Sequence, residues 1–195
     1  MKRLFDILAS GCGLLLLSPV FILLAVWVKL DSKGPVFYKQ ARVGKDNRDF
    51  NLFKFRSMRV GSDKAGLITV GGRDPRVTHA GYYIRKYKLD ELPQLMNVFI
   101  GDMSLVGPRP EVRKYVDLYT PEQMHVLDVL PGITDKSSIC YRNENELLEK
   151  ADDPEKYYQE VVMQDKLRTN LEYVKNHSLT GDISIILKTL WIVVK

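Results

Sequence analysis

Cysteine, histidine and tryptophan are scarce in this chain of 195 residues, which holds two, three and two of them. Two cysteines, Cys12 inside an apolar run and Cys140 far from it, exclude the disulfide framework of a small secreted domain. Cys140 is expected to be a buried structural thiol. His79, His125 and His177 show no metal-ligand spacing, which argues against a zinc site. No internal repeat or low-complexity tract is visible, so a solenoid and a disordered tail are excluded. The most informative absence is charge. Between Asp6 and Lys29 no charged side chain occurs, which leaves Ile7 to Val28 as an apolar run of 22 residues and predicts membrane attachment.

The rest of the composition, 45% hydrophobic and 27% charged, suits one domain with a real core. A net charge of +5 favours anionic partners: phospholipid headgroups, nucleotides or nucleic acid. As one helix the apolar run would be about 33 Å long, enough to cross a hydrocarbon core. Ser18-Pro19 interrupts it, and proline lacks the N–H that would bond the Leu15 carbonyl, so a kink is predicted there. A kinked span and a re-entrant hairpin both fit these residues, because Lys2 and Arg3 before the run and Lys29 and Lys33 after it give no positive-inside bias. The stretch from Asp182 to Lys195 is too short and too charged to span. It suits an interfacial helix with Trp191 at headgroup level, or an ordinary core helix.

Within the remainder, Pro35 to Gln40 and Phe50 to Met58 read as strands joined by a turn at Asp46-Asn47. In the second strand Phe53 and Phe55 alternate with Lys54 and Arg56, and Lys54 is expected to face solvent. Gly61 to Gly72 reads as a mobile loop. Leu92, Leu95, Met96 and Phe99 recur at helical spacing up to Gly101, with Asp90 as the expected N-cap. Thr120-Pro121-Glu122-Gln123 predicts a capping box and a helix through Leu130, and Asp153-Pro154-Glu155 a helix to about Lys175. The tyrosines between 157 and 173 are expected to form a packing face.

Polar residues gather in four pieces: Lys54 to Met58, Arg85 with Lys86 and Lys88, the pair Asp90-Glu91, and Gly107-Pro108-Arg109-Pro110. Exposed N–H groups at a helix start hold a carboxylate ionised and attract phosphate. Arg109 stands between two prolines, a stiff mount for a guanidinium that grips phosphate oxygens in pairs. An acid pair in a first helical turn is also ordinary capping, so the pair alone decides little.

Gln40-Ala41-Arg42-Val43-Gly44, Lys54-Phe55-Arg56-Ser57-Met58, Asp74-Pro75-Arg76-Val77-Thr78, the run from Leu89 to Val98 and the run from Gly101 to Glu111 occur in that order. With Lys2 to Asp6 and Ser18-Pro19, they make residues 2 to 134 resemble the bacterial sugar transferase family, the small monotopic phosphoglycosyl transferases. The resemblance implies transfer of a phospho-sugar from a UDP-sugar to polyprenyl (undecaprenyl) phosphate with release of UMP, the first membrane step of glycan assembly. It implies that Asp90 is the nucleophile, forming an aspartyl phospho-sugar, and a ligand of Mg²⁺, with Glu91 as its acidic partner. Arg56, Ser57, Arg85 and Arg109 are the implied phosphate contacts, and Arg142 matches the place of a nucleotide- or sugar-binding arginine. Ser18 and Pro19 would break the membrane hairpin, placing the protein monotopically on the bacterial inner membrane with its catalytic domain in the cytoplasm.

The chain departs from the family after Thr134, where Asp135 to Glu146 replaces the common Gly-Trp-Ala-Gln, and at Lys88, where a small hydroxyl residue is usual. The expected fold is helix-rich α+β: a re-entrant membrane helix-break-helix over 1–33, then a catalytic domain over 34–195 with a small sheet and interfacial amphipathic helices. Expected partners are the UDP-sugar, the polyprenyl phosphate and a phospholipid bilayer, without nucleic acid, and a homodimer is left open. The alternative is a non-catalytic membrane-tethered scaffold that binds anionic lipid through its arginines. An RNA-binding module is disfavoured, because no binding motif accompanies the interleaved aromatics and cations.

Overall fold

The computed structural model describes residues 1–62 and 74–194. From residue 63 on, the expected loop Gly61 to Gly72 lies outside them. Two helices open the chain, α1 (Lys2–Leu16) and α2 (Ser18–Asp31), bent by 61° at Leu17. Neither is long and apolar enough to cross a membrane by itself. The Ser18 hydroxyl donates to the Leu15 carbonyl at 2.8 Å, restoring at the bend the hydrogen bond that Pro19 cannot make. One side of the pair carries exposed Leu4, Leu8, Leu15, Ile22, Leu23 and Leu30. The other side packs on the protein through buried Asp6, Ser10, Leu24 and Val28.

The charges ahead of the apolar run are spent inside the fold rather than left as flanking charges. Arg3 donates to the carbonyls of Val98 (2.6 Å) and Phe99 (3.0 Å), capping the last turn of α4 (Gln94–Ile100). Asp6 accepts from the Ser104 hydroxyl (2.9 Å) and the Leu105 N–H (3.1 Å) of strand β3 (Ser104–Val106). Lys2 donates to the Val106 carbonyl at 3.0 Å and pairs with Asp182 of α10 (Leu179–Val194). Polar ties, that between Asp6 and Ser104 buried, thus join residues 1–33 to the rest of the chain.

Strands β1 (Phe37–Val43) and β2 (Asp49–Phe55) form an antiparallel hairpin, with Asp46 and Asn47 at positive φ in the turn, as the sequence predicts. Helix α3 (His79–Lys86) is capped by Thr78 and rests on α2, sharing a core of Leu24, Val28, Phe55, Ala80 and Ile84. Gly81 allows this seat, because a Cβ there would stand 1.9 Å from the Ser57 carbonyl oxygen. Asn97 joins α4 to β2, accepting from the Phe53 N–H at 2.9 Å and donating to the Asn51 carbonyl at 2.8 Å.

Strand β3 pairs in parallel with β4 (Gly132–Thr134). Between them lie α5 (Arg113–Val116) and a 3₁₀ helix, Gln123–Asp128. The capping box of Thr120 and Gln123 forms as expected, at 3.0 and 3.3 Å, but it opens this 3₁₀ helix rather than an α-helix through Leu130. Helices α6 (Lys136–Cys140), α7 (Glu144–Glu149), α8 (Pro154–Tyr157) and α9 (Met163–Asn176) follow. A π turn, Tyr158–Val162, joins α8 to α9, so the helix capped at Asp153 runs through as predicted but with one bulge. Tyr158 packs against Tyr115 in a core with Val126, Val162 and Leu167. Cys140, the last residue of α6, is exposed, against expectation. Helix α10 leaves Leu187, Leu190 and Trp191 exposed, an apolar face that an ordinary core helix would cover. The fold is helix-rich α+β with two small sheets.

Candidate active site

Asp90 and Glu91 lie in a 3₁₀ turn, Leu89–Glu91, and neither caps α4, which begins later at Gln94. The helix starts later than expected, with Pro93 immediately before its first residue. The chain stays tightly coiled instead, with Leu92 N–H on the Leu89 carbonyl and Met96 N–H on the Pro93 carbonyl. Asp90 is thereby released from capping duty.

The two acids occupy different electrostatic environments. Glu91 receives both terminal nitrogens of Arg109, one at 3.2 Å, and lies 3.5 Å from the Lys54 ammonium. Burial opposes its charge, but Arg109 and then Lys54 outweigh that and hold its carboxyl well below the usual range. Asp90 is 7% exposed. Burial pushes its carboxyl up, while Lys54, Arg85 and Lys88 pull it down and Glu91 pushes it further up. Among the described residues the Asp90 carboxylate accepts no hydrogen bond.

Arg109 is mounted as its flanking prolines suggest. Its N–H donates to Asp135 at 3.0 Å, and the other oxygen of that carboxylate accepts from the Ser137 hydroxyl at 2.9 Å and caps α6 through Ser138. On either side, Gly107 N–H meets the Thr134 carbonyl (3.1 Å) and Gly132 N–H meets the Pro108 carbonyl (2.9 Å). A Cβ on Gly132 would stand 2.1 Å from the Gly107 nitrogen, so this approach requires glycine. Arg42 adds a further tie, donating to the Pro110 carbonyl at 3.0 Å beside Glu111.

The sequence-predicted residues divide. Asp90, Glu91 and Arg109 converge, and Arg85, half-buried at the end of α3, acts on Asp90 through its charge. Arg56 does not join them. Its guanidinium donates to the carbonyls of Lys33 (2.7 Å), Ser32 (2.7 Å) and Val28 (3.2 Å), so it clamps the end of α2 where a phosphate contact was expected. The Ser57 carbonyl accepts the Thr78 N–H at 3.0 Å and seats α3. Arg142 is exposed between α6 and α7, and among the described residues no ion pair joins it to the acid cluster. Two contributors were missed. Lys54 was a weaker candidate that strand alternation put in solvent, whereas it is half-buried against Glu91. Asp135 fell in the departing segment, where its place before Lys136-Ser137-Ser138 is an N-cap signal.

The Mg²⁺ implied by the resemblance was tested against these donors. Among the described residues no group of three or more His, Cys, Asp or Glu side chains could hold a metal. Glu91 is committed to two cations, which leaves the Asp90 carboxylate free. One free carboxylate fits Mg²⁺, which binds through one or two carboxylates and otherwise through substrate phosphate and water.

A family model described as bacterial sugar transferase matches residues 1–195. The chain belongs to the bacterial sugar transferase family. It is 42% identical over 193 residues to a UDP-N-acetylgalactosamine-undecaprenyl-phosphate N-acetylgalactosaminephosphotransferase of Aeromonas hydrophila, covering 97% of this chain and 43% of that protein. It is 37% identical over 195 residues to a UDP-glucose:undecaprenyl-phosphate glucose-1-phosphate transferase of Escherichia coli (strain K12), covering 98% of this chain and 39% of that one. Exopolysaccharide production protein ExoY of Rhizobium meliloti (strain 1021) is 35% identical over 204 residues, covering 97% of this chain and 83% of ExoY. The chain thus spans about two fifths of the first two relatives and most of ExoY. The first two are named for different sugars, so motifs shared across the family do not choose the sugar.

Proposed function

We propose that this chain transfers a sugar 1-phosphate from a UDP-sugar to undecaprenyl phosphate and releases UMP. The observation that carries the reading is the inequality of the acid pair: the charge of Glu91 is matched by Arg109 and Lys54, while Asp90 beside it keeps a carboxylate with no hydrogen bond. In the first displacement an Asp90 oxygen forms a bond to the sugar-proximal phosphorus as the bond from that phosphorus to the UMP oxygen breaks. In the second, a phosphate oxygen of the lipid attacks the same phosphorus and the Asp90 carboxylate leaves. The products are UMP and an undecaprenyl diphospho-sugar, with nothing left on the enzyme.

Glu91 holds Arg109 and Lys54 beside the acid pair, and Lys54 acts on Asp90 through its charge, so the cations are in place before substrate arrives. Arg85 adds positive charge from the end of α3. Asp90 would hold Mg²⁺, and the ion when bound supplies Lewis-acid neutralisation of phosphate oxygens. The bent helix pair with its exposed apolar side, together with the exposed face of α10, supports a monotopic seat on a membrane, in this reading the inner membrane with the catalytic residues in the cytoplasm.

The test is UMP release from detergent-purified protein given Mg²⁺, undecaprenyl phosphate and a panel of UDP-sugars. Release that requires both lipid and Mg²⁺, and that is lost in Asp90→Asn, is expected. Undiminished turnover by Asp90→Asn would defeat the nucleophile assignment, and folded protein silent across the panel would favour the lipid-binding scaffold.

A further inference from the structure

Among the described residues three non-glycine positions have positive φ: Asp46, Asn47 and Lys88. Asp and Asn tolerate the left-handed region, and both occupy a hairpin turn. Lysine gains nothing there and is strained by roughly 1 kcal/mol. Lys88, at φ 56° and ψ 21°, directly follows Tyr87, the C-cap of α3, at the position where glycine usually ends a helix. Its backbone is pinned on both sides, its N–H on the Arg85 carbonyl (3.1 Å) and its carbonyl on the Glu91 N–H (3.2 Å). A strained residue fixed two positions before the nucleophile is the kind of outlier that motivates a functional question.

The charge of Lys88 differs in kind from those of Lys54 and Arg109. Those two are matched by Glu91, whereas among the described residues the exposed Lys88 ammonium makes no ion pair and no hydrogen bond. Its carbonyl accepts the Glu91 N–H, which keeps Lys88 against the acid pair. The site thus holds cations balanced by protein on the Arg109 side and unbalanced charge on the α3 side.

That side is also tied to the helix pair. Helix α3 is tied to α2 by the Ala80 N–H on Asp31 (3.0 Å) and by Trp27 stacked on Tyr83 with ring centroids 6.0 Å apart. Tyr82, Tyr83 and Tyr87 are exposed along it, and amphipathic rings of this kind favour the headgroup layer. With α3 seated at the headgroups, a phosphate carried on a lipid would approach the dyad from the α3 side.

We propose that Lys88 binds the phosphate monoester of the lipid acceptor and so serves the second displacement. The proposal rests on the phosphotransfer reading above. Phosphate on the nucleotide donor offers the same chemistry, so the experiment separates the two sources.

Lys88→Gly is the informative variant, because it removes the charge and at the same time gives the backbone the residue best suited to its conformation. Steady-state UMP release is measured for wild type, Lys88→Gly and Lys88→Arg while each substrate is varied. In Lys88→Gly the KM for undecaprenyl phosphate is expected to rise roughly tenfold, the loss of one charge-assisted contact. Its KM for the UDP-sugar stays unchanged and its thermal stability does not fall, while Lys88→Arg keeps most of the acceptor affinity. An unchanged acceptor KM overturns the proposal, and so does a rise confined to the donor KM, which would assign Lys88 to the nucleotide diphosphate. Titration of the same detergent-purified proteins with a short-chain polyprenyl phosphate reads the contact without turnover: weaker binding by Lys88→Gly supports the proposal, and equal binding overturns it. Absence of UMP release by wild type would sink the phosphotransfer reading and leave that titration to judge Lys88.

Discussion

The Arg109 guanidinium meets the Glu91 carboxylate with both of its terminal nitrogens, and the backbone of the same arginine is held by Asp135. An arginine fixed at both ends is a rigid positive surface, and Glu91 is the residue that aims it. The pair should therefore act as a unit.

Glu91→Gln and Arg109→Met are each expected to lower turnover by more than tenfold and to destabilise the fold, since each leaves a charge without its partner. The double variant should lose less than the sum of the singles, with a coupling of roughly 1–3 kcal/mol in denaturation measured at neutral pH. Additive losses would show that the fork contributes geometry alone.

Asp90 and Glu91 should have opposite effects on the dependence of stability on pH. The carboxyl of Glu91 is held below its unfolded value of about 4.3, so its contribution is present above that pH and is lost as pH falls through the folded value. For Asp90 the folded value is raised, so the stability it lends below about 3.9 is lost as pH rises toward the folded value. Asp90→Asn should then be more stable than wild type at pH 7, and this advantage should vanish as pH falls toward 4. A variant less stable at pH 7 would contradict the raised value.

The acid limb of the rate profile follows from the same group. The nucleophile must be ionised, so kcat should fall with acid as Asp90 takes up a proton. Lys54→Met should move that limb to higher pH, because Lys54 is the strongest influence favouring the Asp90 anion. A limb that stays in place would remove Lys54 from the site.

Arg56→Met tests the clamp. Loss of the guanidinium strands the carbonyls at the end of α2 and should cost about 2–4 kcal/mol of stability, leaving the KM for UDP-sugar unchanged. A raised KM with full stability would return Arg56 to the phosphate.

What the sequence made legible depended on how local each cause was. The bend at Ser18-Pro19, the turn at Asp46-Asn47, the capping box at Thr120 and the stop at Gly101 all follow from bonds within a few residues, and all are present. Residues 89–101 were legible as a helical stretch, but its opening closes i→i+3 bonds as a 3₁₀ turn, which leaves Asp90 without a capping role. Lys54 and Arg56 were misread for different reasons. Strand alternation assigns Lys54 to a face and says nothing of what will cover that face, here Glu91, while the phosphate role of Arg56 came from the resemblance and its guanidinium is taken up by the end of α2. Asp135 was obscured because its segment departs from the family pattern, although the cap it makes is an ordinary one.

The Lys2–Asp182 pair closes a loop of 180 residues around the site. As the chain emerges from the ribosome, the apolar helices are available to lipid long before Asp182 exists, so Lys2 must wait while its neighbours are already in place. Contacts this distant along the chain form slowly. Assembly of the catalytic machinery is therefore ordered in time: the hairpin seats first, and the α10 tie at the base of the site forms only after nearly all of this chain has been made.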